Sequence, residues 1–169
     1  MKKTAIWIIS LSTLMLIVVT CTSAYADYLY SRQIGSYWEL SVKASSLDAK
    51  TAYLDKYVAA LQSATLANHD AIIFKTPNNS LEQNMHALLS LQKRMHEIEK
   101  MDVTSFQYQQ AMMQITGQEQ DEAGDMIGTL QECWTLRHFP VAWNWIGGML
   151  VTLGLLGSAV TGALWFITH

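Results

Sequence analysis

The chain has 169 residues, 50% of them hydrophobic and 15% charged, with a formal net charge of −3. That length admits at most one soluble domain beside membrane segments. Eleven Lys and Arg stand against fourteen Asp and Glu, and Lys2 and Lys3 precede every acid. The body from Asp27 onward is therefore acidic, and nucleic acid is excluded as an expected partner.

The amino end, Met1-Lys2-Lys3, leads into an uncharged run from Thr4 to Ala26. Two readings stand side by side. As a signal peptide it has a basic start, an apolar stretch from Ala5 to Val19, and Ala24-Tyr25-Ala26 as a small-x-small cleavage site. As a retained anchor it is long enough to span a bilayer. Either way the positive-inside rule keeps Lys2 and Lys3 in the cytoplasm and exports the region beyond the apolar run. Cys21 after Val18-Val19-Thr20 is a poor match to a lipidation site. With Cys133 the only other cysteine, no CxxC, zinc or haem spacing exists, and an isolated apolar cysteine is expected.

Asp27 to Ser46 carries Tyr28, Tyr30, Tyr37 and Trp38 and is expected to continue as a helix, weakest at Gly35. Asp48 to Asn68 is a clearer helix, with Leu54, Val58, Leu61 and Ala64 or Thr65 at helical spacing beside Tyr57. Ala71 to Asn79 breaks the pattern at Thr76-Pro77-Asn78-Asn79. It reads as a loop whose Ile72, Ile73 and Phe74 plug one end of a bundle; the sequon Asn78-Asn79-Ser80 is coincidental. Ser80 then opens a helix, with Gln83 completing a capping box. Leu88, Leu91, Met95 and Ile98 recur at 3-4-3 spacing after Leu81 and Met85, the most regular seam in the chain. Asp102 to Ser105 is a polar break in which Asp102 or Thr104 is the expected cap. The last helix of this region is drawn from about Phe106 to Arg137. Its expected stripe is Phe106, Met113, Ala123, Ile127, Leu130 and Trp134, and it is thinned at Gly117, Gly124 and Gly128. Pro140 marks the junction with the final segment.

No Asp, Glu, Lys or Arg follows Arg137, which leaves about thirty residues to cross a bilayer with some tilt. Trp143 and Trp145 mark one end and Trp165 and Phe166 the other, as an aromatic belt does. Within it Gly154, Ser158 and Gly162 follow at spacing four and share one face, the expected helix-packing surface, since small residues let backbones approach closely in lipid. Gly147, Gly148 and Gly157 add thin places, and Thr152 and Thr161 can bond within or between helices.

The run Leu153-Gly154-Leu155-Leu156-Gly157-Ser158-Ala159-Val160-Thr161-Gly162 resembles the glycine-rich pore-lining helix of the MotA/TolQ/ExbB proton-channel family. The resemblance covers about ten residues and implies pore hydroxyls at Ser158 and Thr161, and proton flow coupled to mechanical work. No membrane carboxylate is present to relay a proton.

Elsewhere the residues expected to carry chemistry do not converge. Glu82 and His86 lie four apart on one helix, and His96 falls on another face, so no metal and no cofactor is expected. Glu119, Asp121, Glu122 and Asp125 read as a solvated acidic face. P-loop, GxSxG and GxGxxG patterns are absent, and no enzyme is expected. The fold class is all-α: a small helical bundle with one C-terminal transmembrane helix and an N-terminal signal peptide or second transmembrane helix. The expected division is 1–26 signal or anchor, 27–138 exported bundle and 139–169 membrane helix. The expected setting is a bacterial inner membrane, with 27–138 outside the cytoplasm. The expected partners are the bilayer and other membrane helices. Three functions are compatible with these features: a structural or interaction subunit of a membrane assembly, a partial channel-like subunit, or an exported sensory or adaptor bundle.

Overall fold

The computed structural model describes residues 2–64, 66, 70–71, 73–74, 76, 79–121 and 123–167, and within these the side chains outside residues 2–5, 8–9, 116–121 and 164–167. Every regular element among the described residues is helical. In order these are α1 (Lys2–Tyr30), a π-helical turn (Ser31–Gly35), α2 (Ser36–Lys43), α3 (Leu47–Ser63), α4 (Leu81–Glu99), α5 (Phe106–Asp121), α6 (Ala123–His138), a 3-10 turn (Pro140–Ala142) and α7 (Asn144–Ile167). They form two compact units. One comprises Met1–Tyr28 with His138–His169, the other Leu29–Arg137. Two helical stretches, Ser10–Lys43 and Asn144–Ala163, are long and apolar enough to cross a membrane. Only 17% of the apolar window of each is buried, which separates them from the core helix of a soluble domain.

The unit Leu29–Arg137 is a helical bundle built on the apolar spacings of α3 and α4. Ser46 caps α3 by accepting from the Ala49 N–H at 3.3 Å. Ser80 caps α4 by accepting from the Gln83 N–H at 3.3 Å, satisfying donors a helix start leaves without a partner. Leu54, Val58 and Leu61 on α3, and Leu88, Leu91, Met95 and Ile98 on α4, are all buried. Asp55 accepts from the Gln92 amide at 2.7 Å and meets His96 Nε2 at 3.0 Å. These two bonds hold α3 beside α4 at the level of Asp55, Gln92 and His96. At about 1.5–3 kcal/mol for each fully buried aliphatic side chain, this double row is the main stabilising feature of the unit. Asn84, not Met85, completes the buried side of the first turns, its amide donating to the Ser80 carbonyl at 2.9 Å.

Aromatic packing joins the first and last parts of this unit. The Tyr30 ring meets Trp134 edge-on at 5.5 Å, and its hydroxyl lies 3.1 Å from that of Tyr57. Burial, reinforced by the neighbouring Tyr30, pushes the Tyr57 phenol above its ordinary range. The π-turn has a steric counterpart. A β-carbon on Gly35 would stand 3.1 Å from the Tyr30 ring, so glycine leaves room for the ring to lie against the turn.

Several expectations change. Helix α3 ends at Ser63, five residues before Asn68, and Thr65 and Asn68 lie outside the described residues. In the loop between α3 and α4, Leu66 and Ala71 are buried but Ile73 and Phe74 are 53% and 77% exposed, so these two do not plug the bundle. Ile72, Pro77 and Asn78 lie outside the described residues. The cap of α5 is Ser105, whose hydroxyl accepts from the Tyr108 N–H at 3.1 Å. Asp102 instead closes a local turn on the Thr104 N–H and hydroxyl, which holds its carboxyl below the usual range. That start rotates the α5 stripe. Ile115 is buried, Tyr108 and Met112 are half-buried, and Phe106 and Met113 are 75% and 69% exposed. The stretch expected as one helix over 106–137 is helical on both sides of Glu122, as α5 and α6, and Glu122 itself lies outside the described residues. Along α6, Ala123, Met126, Leu130, Cys133 and Trp134 are buried, and Ile127 is half-buried.

Candidate functional site: the seam of the apolar helices

In the unit formed by Met1–Tyr28 and His138–His169, α6 ends at His138 and a 3-10 turn begins at Pro140, whose fixed φ suits a first-turn position. After this break α7 starts at Asn144. Tyr25 meets Phe139 edge-on at 5.9 Å. The two apolar helices then pack against each other through small side chains.

Among the described residues of α1 that belong to this unit, the buried ones are Ser12, Val19 and Ala26, each seven positions from the next. On α7 they are Gly147, Gly154 and Thr161, again seven apart. A β-carbon on Gly147 would stand 3.4 Å from Val19 Cγ1 and 3.1 Å from the Val141 carbonyl oxygen. One on Gly154 would stand 3.8 Å from Leu16 Cγ and from the Ser12 carbonyl oxygen, and 3.9 Å from Ser12 Cβ. One on Gly157 would stand 3.7 Å from the Ser12 hydroxyl oxygen. Val19 opposite Gly147 and Ser12 opposite Gly154 make the pair antiparallel. Matching seven-residue periods keep one seam in register along both helices, the geometry of a left-handed pair. The absent β-carbons let the backbones approach closely, which gives association in lipid its packing energy.

The hydroxyls of the apolar helices are turned inward to their own backbones. Ser158 donates to the Gly154 carbonyl at 2.9 Å, Thr152 to Gly148 at 2.8 Å, Thr22 to Val18 at 2.7 Å, and Thr161 to Gly157. In a medium without water this i to i−4 bond satisfies a donor that otherwise carries a desolvation cost. The two hydroxyls singled out for a pore therefore each have their proton engaged within α7.

The three residues expected to form one packing face sit in different surroundings. Gly154 is buried on the seam, Ser158 is half-buried beside it, and Gly162 is exposed with no neighbour within 4 Å among the described residues. Gly148 and Ala159 are exposed as well. Asn144, Trp145, Gly148, Met149, Thr152 and Leu153 line a shallow groove on α7. Ser12, Val19 and Ala26 are not marked as packing residues by the sequence, and Gly147 is marked only as a thin place. Their signal, a seven-residue spacing on each helix, is visible only when the two segments are set side by side. The Trp165 and Phe166 side chains lie outside the described residues.

Polar groups in the bundle meet in one notable place. His96 Nε2 faces Asp55 at 3.0 Å and its Nδ1 faces Glu99 at 3.2 Å, so the ring bridges α3 and α4. The Asp55 hydrogen bond, aided by Glu99, raises the imidazole above its ordinary value of 6.5. Glu82 and His86 are exposed on α4. Among the described residues no group of three His, Cys, Asp or Glu is placed to hold a metal ion. The side chains of Glu119, Asp121 and Glu122 lie outside the described residues, and Asp125 is exposed in the first turn of α6. Both cysteines are free thiols; Cys133 is fully buried and its thiol is raised by that burial.

Comparison with protein-family models, with curated proteins and with solved structures returns no match to this chain.

Proposed function

We propose that this chain is a non-catalytic membrane assembly subunit, held in the bilayer by a hairpin of α1 and α7 and carrying the 29–137 bundle outside the cytoplasm of a bacterial cell. The observation that supports the reading is the seam of Ser12, Val19 and Ala26 against Gly147, Gly154 and Thr161. A cleaved leader has no reason to match the period of a helix at the far end of the chain. Removal after Ala26 would strip Gly147 and Gly154 of their neighbours. In this reading α1 is a retained anchor, and Lys2 and Lys3 fix its start in the cytoplasm. The exposed small positions Gly148, Ala159 and Gly162 are where further membrane helices approach α7.

The test is a disulfide across the seam. The β-carbons at positions 12 and 154 are 3.9 Å apart, inside the range of about 3.5–4.5 Å that a disulfide spans. A Ser12→Cys, Gly154→Cys chain lacking the native cysteines is expected to cross-link within one molecule on mild oxidation in membranes. A mature chain beginning at Asp27, or no cross-link in an inserted chain, sinks the hairpin.

A further inference from the structure

The start of α5 at Ser105 turns Tyr108, Met112 and Ile115 inward and leaves Phe106, Gln109, Gln110 and Met113 exposed. Phe106 and Met113 lie seven apart, so they share one stripe of the helix, and the two glutamines fall between them. Val103, in the turn before α5, is exposed as well. No Asp, Glu, Lys, Arg or His occurs from Val103 to Gln118, the longest such run between Asp27 and Arg137. The exposed side of α5 is therefore apolar and uncharged, on a body that is otherwise acidic.

We propose that the Phe106–Met113 stripe of α5 is a pairing surface for α5 of a second copy of this chain, the two helices running antiparallel about a two-fold axis beside Gln110. Charge selects this occupant. A basic partner is drawn by carboxylates and an acidic one by Lys or Arg, and the stripe offers neither. Two copies of an acidic body repel wherever their charged surfaces meet, so a neutral face is where they approach at least cost. The polar groups on it suit the same partner. Each glutamine amide carries both donors and an acceptor, so it can bond its own kind across the axis. An axis between Gln109 and Gln110 sets Phe106 of one copy against Met113 of the other, twice, as an isologous contact requires. A thioether against an aromatic ring is a favourable pair. Helix α5 has 16 residues and is about 24 Å long, which places the contact among small, transient interfaces. The inference goes beyond the proposed function and does not depend on the seam of α1 and α7.

The experiment uses the full chain in mild detergent, with Cys21→Ser and Cys133→Ala and a single new cysteine at Gln110→Cys or, as a control, at Ala59→Cys, exposed on α3. A short bis-maleimide traps pairs, and the yield of cross-linked dimer is read on a denaturing gel. The yield at position 110 is expected to exceed that at position 59 by at least about fivefold, and Phe106→Glu to lower it at least about tenfold by setting an acid in the contact. Phe106→Ala, on an exposed side chain, keeps the fold and should lower the yield at least about threefold; near-ultraviolet circular dichroism checks the fold of both variants. Equal yields at 110 and 59 overturn the pairing. So does a high yield at 110 that neither Phe106 variant lowers, since the collisions are then unspecific. Repeated in native membranes, cross-linking of position 110 to a different protein without a dimer of this chain also overturns it. None of these results touches the α1–α7 hairpin, which the disulfide between positions 12 and 154 tests separately.

Discussion

Gly154 gives the sharpest test of the helix pair, because alanine and isoleucine there have different consequences. Alanine adds a β-carbon 3.8 Å from Leu16 Cγ and the Ser12 carbonyl oxygen, an ordinary van der Waals separation. Alanine also favours helix over glycine by about 0.5–1 kcal/mol, so the net change is small. Isoleucine places two further carbons about 1.5 Å beyond that β-carbon. Its branched β-carbon restricts the rotamers that could carry both away from α1. One of them falls inside contact distance of Ser12 or Leu16, and overpacking of this kind costs about 1–3 kcal/mol. That corresponds to a shift of roughly 5- to 150-fold between paired and separated helices. The assay is the glutathione equilibrium of a Ser12→Cys, Gly157→Cys pair in membranes. This level of the seam is itself close, since a β-carbon on Gly157 lies 3.7 Å from the Ser12 hydroxyl oxygen. Gly154→Ala should leave the effective concentration of the two thiols within about twofold, and Gly154→Ile should lower it at least about fivefold. Equal effects from the two substitutions would refute the claim that the seam is set by the space at this glycine.

The bundle offers further tests. Leu88, fully buried, should lose about 2–5 kcal/mol of stability on change to alanine, while Phe106→Ala, on an exposed side chain, should stay within about 0.5 kcal/mol; urea unfolding in mild detergent measures both. Gly35→Ala should destabilise the bundle despite better helix propensity, because the new methyl meets the Tyr30 ring at 3.1 Å; near-ultraviolet circular dichroism and the unfolding midpoint report it. The His96 bridge has a definite sign. Its folded pKa lies above 6.5, so its contribution is fully present below pH 6.5 and fades as pH rises through the folded value. For so exposed a group it amounts to less than about 1 kcal/mol, and the stability difference between wild type and His96→Gln should shrink from pH 6 to pH 8. Cys133, buried with a raised thiol, should resist alkylation until the bundle unfolds.

Period and capping chemistry explain what was legible in the sequence. Leu88, Leu91, Met95 and Ile98 fix a face by their spacing alone, and Ser80 announces the start of α4. Gly35 pointed to the place where the helix widens into a π-turn. Where two stripes fit the same stretch, the local pattern did not choose. Phe106 and Met113 share a helical spacing, but so do Tyr108, Met112 and Ile115, and capping at Ser105 buries the latter. Likewise α7 has small residues on more than one side. The spacing-four run through Gly162 is evident in one segment, whereas Gly147, Gly154 and Thr161 acquire meaning only opposite Ser12, Val19 and Ala26. Ile73 and Phe74 are apolar and read as core, since composition alone does not distinguish a buried side chain from an exposed one.

The contact of Tyr30 with Trp134 bears on the order in which the molecule is made. The α3–α4 pair is local and can form as soon as both helices have emerged from the ribosome. Closure of the bundle, by contrast, joins elements from opposite ends of the 29–137 unit, a long-range contact that folds late. Trp134 lies only a few residues ahead of α7, so synthesis of the bundle is nearly complete before the last wall is delivered. Until then the buried faces of α3 and α4 are partly uncovered. The chain is therefore most open to a folding helper in the interval between emergence of α4 and arrival of α6.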